Sequence, residues 1–303
     1  MVGINQQCQP YHFRPKTDGY SVWQLFDKTL IQFSHFGEEK KIGIASTFDG
    51  NEKGIFFARN NRLYDADFSE HDITLHNNMF GLHDTFVFCA TRFLDSCMIV
   101  KYDFEQREII SKSSLLKSIT ILLVFDRLFA INENEIITFD LNLVEINRMQ
   151  TPDTYDLKTT KDKIAVISSQ PGSTILSVFD SNLKSLWQKE LTGEIVGFDC
   201  GSFIYVSTHS GGSFCFDFDG NHIWTKGKGS LACFVDRSEH VILADETKVS
   251  IYETFTGVLV WKAELSYPAC SSPCVVNDGF FVCSHDGGGM HYFGRTEKWE
   301  FNF

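Results

Sequence analysis

The sequence predicts an all-β fold, a β-propeller of four-stranded antiparallel blades, with eight blades favoured and seven as the alternative. Three observations carry this: tryptophans recur at a fixed period, the segments before them alternate apolar and polar residues, and aromatic side chains are abundant. Aromatic residues make up 14% of the 303 residues, with 29 Phe against 6 Pro. That composition suits pleated strands better than long helices. A hydrophobic share of 43% and a charged share of 22% are ordinary for a folded chain and exclude wholesale disorder.

Four of the five Trp fall at 187, 224, 261 and 299, spaced 37, 37 and 38 residues apart. Their contexts match: Asn182-Leu-Lys-Ser-Leu-Trp187, Asp219-Gly-Asn-His-Ile-Trp224, Thr256-Gly-Val-Leu-Val-Trp261 and Arg295-Thr-Glu-Lys-Trp299. An alternating strand precedes each of the best examples, as in Ser213–Phe218 and Val249–Glu253. Before that comes another after a polar turn: Ile204–Thr208, His240–Ala244 or Phe280–Ser284. The unit is four short strands, A to D, in about 38 residues, with Trp near the start of D.

Walking the template backward places Asn147, Ile110, Thr74 and Gln32 at the Trp position. The expected blades are 1–36, 37–77, 78–113, 114–150, 151–191, 192–228, 229–265 and 266–303, in one domain. In the first, Val2–Ile4, Tyr11–Phe13, Ser21–Phe26 and Leu30–Phe33 are expected as strands A to D. In the last, Trp299–Phe303 is the expected D strand. A lone four-stranded sheet has two faces to bury, and only its neighbours in a ring cover both. Trp187, Trp224, Trp261 and Trp299 are therefore expected to dock each blade on the next. Burying each contributes on the order of 3 kcal/mol.

The run Ser272-Pro-Cys-Val-Val-Asn-Asp-Gly-Phe-Phe-Val-Cys-Ser-His-Asp-Gly287, followed by Met290–Phe293 and Trp299, resembles the PQQ-like repeat of quinoprotein-type propellers. So does Tyr252–Gly257 with Trp261, which looks like that family's turn-Gly-x3-Trp docking motif. The likeness is clear over about residues 160–303 and degenerate before them. Dehydrogenases of the family hold a quinone and Ca²⁺ with the help of a vicinal Cys-Cys pair, and no two Cys are adjacent here. The resemblance thus implies a non-catalytic member with no cofactor. The Gly-His and Trp-Asp pairs of WD40 repeats are absent, and adjacent glycines are too few for kelch repeats.

Formal charge is −12, which argues against a general grip on nucleic acid or anionic lipid. The N-terminal segment Met1–Cys8 lacks a basic and an apolar region, and the strongest apolar run, Ile119–Phe125, is far short of a membrane span. Nine Cys, mostly inside strands, read as reduced and buried. The expected location is cytoplasmic, without membrane insertion.

Candidate chemistry is sparse. No G-x-S-x-G, H-E-x-x-H or Gly-x-Gly-x-x-Gly motif occurs. Cys270, Cys274, Cys283 and His285 have irregular spacing for zinc and read as buried thiols beside a turn histidine. Gly227-Lys-Gly-Ser230 is too short for a phosphate loop and reads as a flexible connection between blades. The B–C turns are expected to hold Arg14, Lys16, Arg59, Arg62, Arg92, His209 and His285 with Asp18, Asp95, Glu133, Asp245 and Asp286. From these, Arg59, Arg92, His209, His285 and Asp286 are the candidate partner- or ligand-binding residues. Two D–A connections, Ser34–Lys41 and Lys112–Ser118, are longer and partly apolar, and exposed Leu or aromatic residues there would mark a partner contact. The function expected is a scaffold for protein or peptide partners, as a subunit of a larger complex. The alternative is an enzyme or small-ligand sensor at the channel mouth, using His209, His285 and Asp286.

Overall fold

The structure, a computed structural model, describes residues 16–17, 21–26, 29–34, 39–51, 53–132, 135–151, 154–160, 162–227, 229–235, 239–269, 271–276, 279–283 and 290–294. Every regular element among them is a strand in one of eight antiparallel sheets. No helix is long and apolar enough to cross a membrane. Seven sheets have four strands and the eighth has three among the described residues, each in sequence order. The fold is an all-β, eight-bladed propeller. Its blades occupy 16–44, 47–74, 80–112, 121–150, 154–192, 195–226, 231–264 and 274–294. Blades one to four belong to one compact unit, Lys16–Thr154, and the remainder to a second that runs from Tyr155.

Blade one departs from the expected layout. Ser21–Phe26 and Thr29–Ser34 are its second and third strands, not its third and fourth, and Lys16–Thr17 is its first. The fourth is Glu39–Ile44, so the charged segment read as a D–A connection is a strand. Lys16 accordingly lies outside a B–C turn, and Arg14 and Asp18 lie outside the described residues. The physical reason is that a D strand is an edge: lysine and glutamate keep such an edge from pairing with another chain, and they also erase its apolar pattern. The expected strands Val2–Ile4, Tyr11–Phe13 and Trp299–Phe303 lie outside the described residues.

Turn chemistry sets each C–D corner. Asp65, Asp103, Asp140, Asp180 and Asp217 each end or follow a C strand, and each Oδ1 accepts two backbone N–H groups from the turn, at 2.8 to 3.0 Å. These are Asx turns, which hold the corner without help from the sheet. Later in the same corner one residue takes the left-handed conformation in six blades: Phe68, Arg107, Leu143, Leu183, Gly220 and Gly257. After the corner the C–D pairing slips in every blade from one to seven. A bulge at a fixed place increases the twist of the outer strand alike in each blade. Just past the slip stand Gly43, Thr74, Ser111, Asn147, Trp187, Trp224 and Trp261.

Within each unit these two positions complement each other in size. Trp187 lies under the next blade's corner, where a Cβ on Gly220 would approach its ring to 3.2 Å, and its Nε1 donates to the Phe218 carbonyl at 2.8 Å. Trp224 repeats this against Gly257, with Nε1 donating to the Thr254 carbonyl at 2.7 Å. Trp261 packs edge-on against Phe280 and Phe293 of blade eight. In the first unit the sizes are exchanged. Gly43 leaves room, and the Phe68 ring from the next corner fills it, 2.6 Å from where a Cβ would stand. Ser111 is small, and Leu143 of the next corner is buried in a core cluster shared by blades three and four. A tryptophan over glycine and a glycine under phenylalanine thus meet the same packing need.

The clusters between blades continue this glue inward. One joins blades two and three through Phe56, Phe80, Val87 and Tyr102, and others join five to six, six to seven and seven to eight. Near the first strands, Asp49 Oδ2 accepts the Leu82 N–H of the next blade at 2.9 Å, and Asp199 Oδ2 does the same for Phe234 at 2.9 Å.

Trp224→Ala is expected to cost about 3–5 kcal/mol, and Gly257→Leu about 2 kcal/mol, from left-handed strain and the clash with Trp224. The double variant should lose less than the sum, because the leucine refills the space the indole leaves, as Leu143 does in blade four. Thermal unfolding of all four proteins checks the cycle, and strict additivity would refute the size exchange.

Candidate functional site

Arg59 ends the B strand Gly54–Arg59 and is exposed beside Asn60 and Asn61, which take φ of 51° and 61° in a tight hairpin turn. Arg92, also exposed, lies near the end of Phe86–Phe93, and its Nε donates to the Leu94 carbonyl at 3.1 Å. His209, in the second unit, opens the turn after Ile204–Thr208, and its backbone N–H donates to the Glu194 carbonyl at 2.9 Å. Among the described residues no hydrogen bond or ion pair joins any two of these three side chains. His285, Asp286 and Trp299 lie outside the described residues.

The blade-three hairpin carries a different feature at its tip. Phe93 is 52% exposed and Leu94 is 80% exposed. Leu94 holds φ 54°, a left-handed conformation that is unfavourable for a bulky residue. The D–A connection reaches back to this hairpin: Cys97 and Leu116 exchange backbone hydrogen bonds of 2.8 and 2.7 Å. Leu116 is buried there, and its neighbour Leu115 is 54% exposed. Two segments distant in sequence thus present Phe93, Leu94 and Leu115 as exposed apolar groups on one blade.

A concavity lies between blades six and seven, a cleft of about 390 Å³. Lys226 and Gly227 line it from the end of one D strand, and Ser230 from the connection that follows. Leu243, Asp245, Lys248, Ser250 and Tyr252 line it from the B and C strands of blade seven and the turn between them. Ser230 is not in a loose linker. Its carbonyl accepts from Ser207 Oγ at 2.7 Å and from Tyr205 Oη at 3.0 Å, and its own hydroxyl lies 2.7 Å from Tyr205 Oη. Burial outweighs these hydrogen bonds and pushes the Tyr205 phenol up to about 12. A buried hydroxyl network thus pins the Ser230 end of this connection, while residue 228 lies outside the described residues. Ser250, 3% exposed, is different: its Oγ has no hydrogen-bond partner among the described residues. Leaving a buried hydroxyl unpaired costs about 1–3 kcal/mol.

Thr47 Oγ1, Ser111 Oγ and Thr254 Oγ1 are likewise buried without a hydrogen-bond partner among the described residues, but they do not line the cleft. His71 is 3% exposed between blades two and three, with Nδ1 3.2 Å from Tyr102 Oη and Nε2 3.5 Å from Asp65 Oδ2. Burial lowers its pKa and Arg107 adds to this, outweighing the pull of Asp65. Cys89, Cys97, Cys200 and Cys215 are free thiols. Burial raises the thiols of Cys89 and Cys200, and pushes Cys215 up to about 12, so none of these three is an activated nucleophile. Cys274 and Cys283 sit on different strands, Cys270 and His285 are outside the described residues, and no group of three metal-ligating side chains occurs among the described residues.

The fold places the chain among known propellers. A scan against protein families finds no match, and a search of curated proteins finds none either. Solved structures do match in shape. A computationally designed protein, Ika8, aligns with a TM-score of 0.71 at 10% identity, over 95% of this chain and 98% of its own. BamB from Moraxella catarrhalis aligns with a TM-score of 0.63 at 11% identity, over 97% and 96%. BBS1N, solved in complex with ARL6DN, aligns with a TM-score of 0.57 at 10% identity, over 94% and 91%. At such identities the likeness is one of fold.

His71 makes the fold pH-sensitive. Its ordinary value is 6.5 and the folded chain lowers it, so as pH falls the unfolded chain takes up the proton first. Stability is full above about 6.5 and declines below it. In His71→Gln the part of the decline between pH 6.5 and 5 should shrink, read as the slope of Tm against pH. An unchanged slope would show that His71 is not the titrating group.

Proposed function

We propose that this chain is a non-catalytic propeller of the PQQ-like repeat type that serves as a platform for a protein partner, as a subunit of a larger complex in the cytoplasm. The observation that carries the reading is the blade-three hairpin tip. A leucine at left-handed φ and 80% exposure disfavours folding twice, through backbone strain and through hydrated apolar surface. Asparagine or glycine would make a better turn. Phe93 precedes it, Leu115 is exposed on the same blade, and Arg92 lies in the same hairpin, a mixture typical of residues that anchor an interface.

Support for the family is local: Gly220-x3-Trp224 and Gly257-x3-Trp261 keep the spacing of that repeat, and each glycine lies against the tryptophan of the preceding blade, Trp187 and Trp224. Support for a platform role also comes from BBS1N, a propeller of similar fold solved in complex with another protein. The free, buried thiols of Cys89, Cys97 and Cys215 fit a reducing compartment. The partner is an extended or folded protein segment with an apolar recess, which receives Leu94 and Phe93 while the scaffold stays rigid.

Leu94→Asn tests this, because fold and function should respond in opposite directions. Stability should rise by about 1 kcal/mol as the strain is relieved, and a partner retained from native extract by the unsubstituted chain should be lost. Phe93→Ser should lose the same partner. Retention that ignores both substitutions would defeat the assignment of this surface.

A further inference from the structure

The cleft between blades six and seven has the features of a built ligand site, and none of them is required by the propeller. Its volume of about 390 Å³ falls in the range of small-molecule pockets. Lys226 is already ordered: its Nζ donates to the Gly257 carbonyl at 2.7 Å and lies 4.8 Å from the centre of the Tyr252 ring. An ammonium group held in place loses little freedom when it meets a ligand, and it keeps two further N–H donors. Lys248 enters the same cleft from the start of the C strand and makes no ion pair among the described residues.

The one carboxylate in the lining is engaged elsewhere. Asp245 Oδ1 accepts from the backbone N–H of Thr247 at 2.8 Å and of Lys248 at 2.9 Å, and from Thr247 Oγ1 at 3.2 Å. Asp245 keeps its charge while it holds the turn, so the described lining carries two ammonium groups against one carboxylate, in a chain whose net charge is −12. Ser250 adds the second, independent sign of a ligand. It stands between Val249 and Ile251, is 3% exposed, lines the cleft, and has no hydrogen-bond partner for Oγ among the described residues. Leu243 and Tyr252 supply apolar wall for a carbon skeleton.

We propose that this cleft binds a small soluble ligand through a phosphate or carboxylate group, which pairs with Lys226 and Lys248 and accepts a hydrogen bond from Ser250. Lysines act as point charges and suit either oxyanion, whereas a planar arginine fork would favour bidentate contact. This site is separate from the blade-three surface, so either can fail without the other.

The test uses the full chain with inorganic phosphate and with succinate as probes, followed by isothermal calorimetry and by Tm. At least one probe should bind and raise Tm with concentration. Lys248→Gln should weaken that binding about tenfold or more. Ser250→Ala should also weaken it while the Tm of the ligand-free protein holds or rises, since an unpaired hydroxyl has been removed. Lys184→Gln, an equal charge change at an exposed corner of blade five, should leave binding unchanged. Response to phosphate alone assigns a phosphate-bearing ligand, and response to succinate alone a carboxylate. Failure of both probes at tens of millimolar, or equal effects of Lys248→Gln and Lys184→Gln, overturns the proposal.

Discussion

A four-stranded sheet with apolar residues on both faces cannot stand alone in water, and everything else in this molecule follows from covering those faces. The cover at each outer corner is a pair of positions, one just past the bulge in a D strand and one at left-handed φ in the next blade's corner. Only their combined volume is constrained. Trp187 with Gly220 and Gly43 with Phe68 are two solutions to one packing problem. The exchange explains why the tryptophan period fades toward the N-terminal half while the blades continue.

The same constraint separates scaffold from site. Strand interiors and corners are committed to packing and Asx turns, so variation is tolerated where they are not, at B–C hairpin tips and at the mouths between blades. The strained Leu94 and the unpaired Ser250 hydroxyl both break a local rule without helping the fold. Such violations are where function is expected to show, because the surrounding sheets hold them in place despite their cost. Tyr205 is the contrast, a buried hydroxyl held by Ser213 and Ser230.

Much of the fold was legible in residues because its signals are local. The tryptophans and the alternating strands before them recur within single units. Blade one was misplaced by one strand because Glu39-Lys-Lys41 looks like a loop, although an edge strand welcomes charge. Sequence placed Ile110 where Ser111 stands, a one-residue error that a bulge produces readily. The anchoring of Ser230 was not legible because its partners, Tyr205 and Ser207, lie more than twenty residues away in the chain.

By itself the sequence determined an all-β chain, its period, and the aromatic surplus as glue between blades, since alternation and repetition are properties of neighbouring residues. Tertiary structure alone decided which side chains remain unspent. Leu94 gains meaning from its backbone angle and exposure, and Ser250 from the absence of a described acceptor within a cleft that Lys226 reaches from another blade. Burial and convergence across blades arise only when distant segments pack, and no window of sequence contains them.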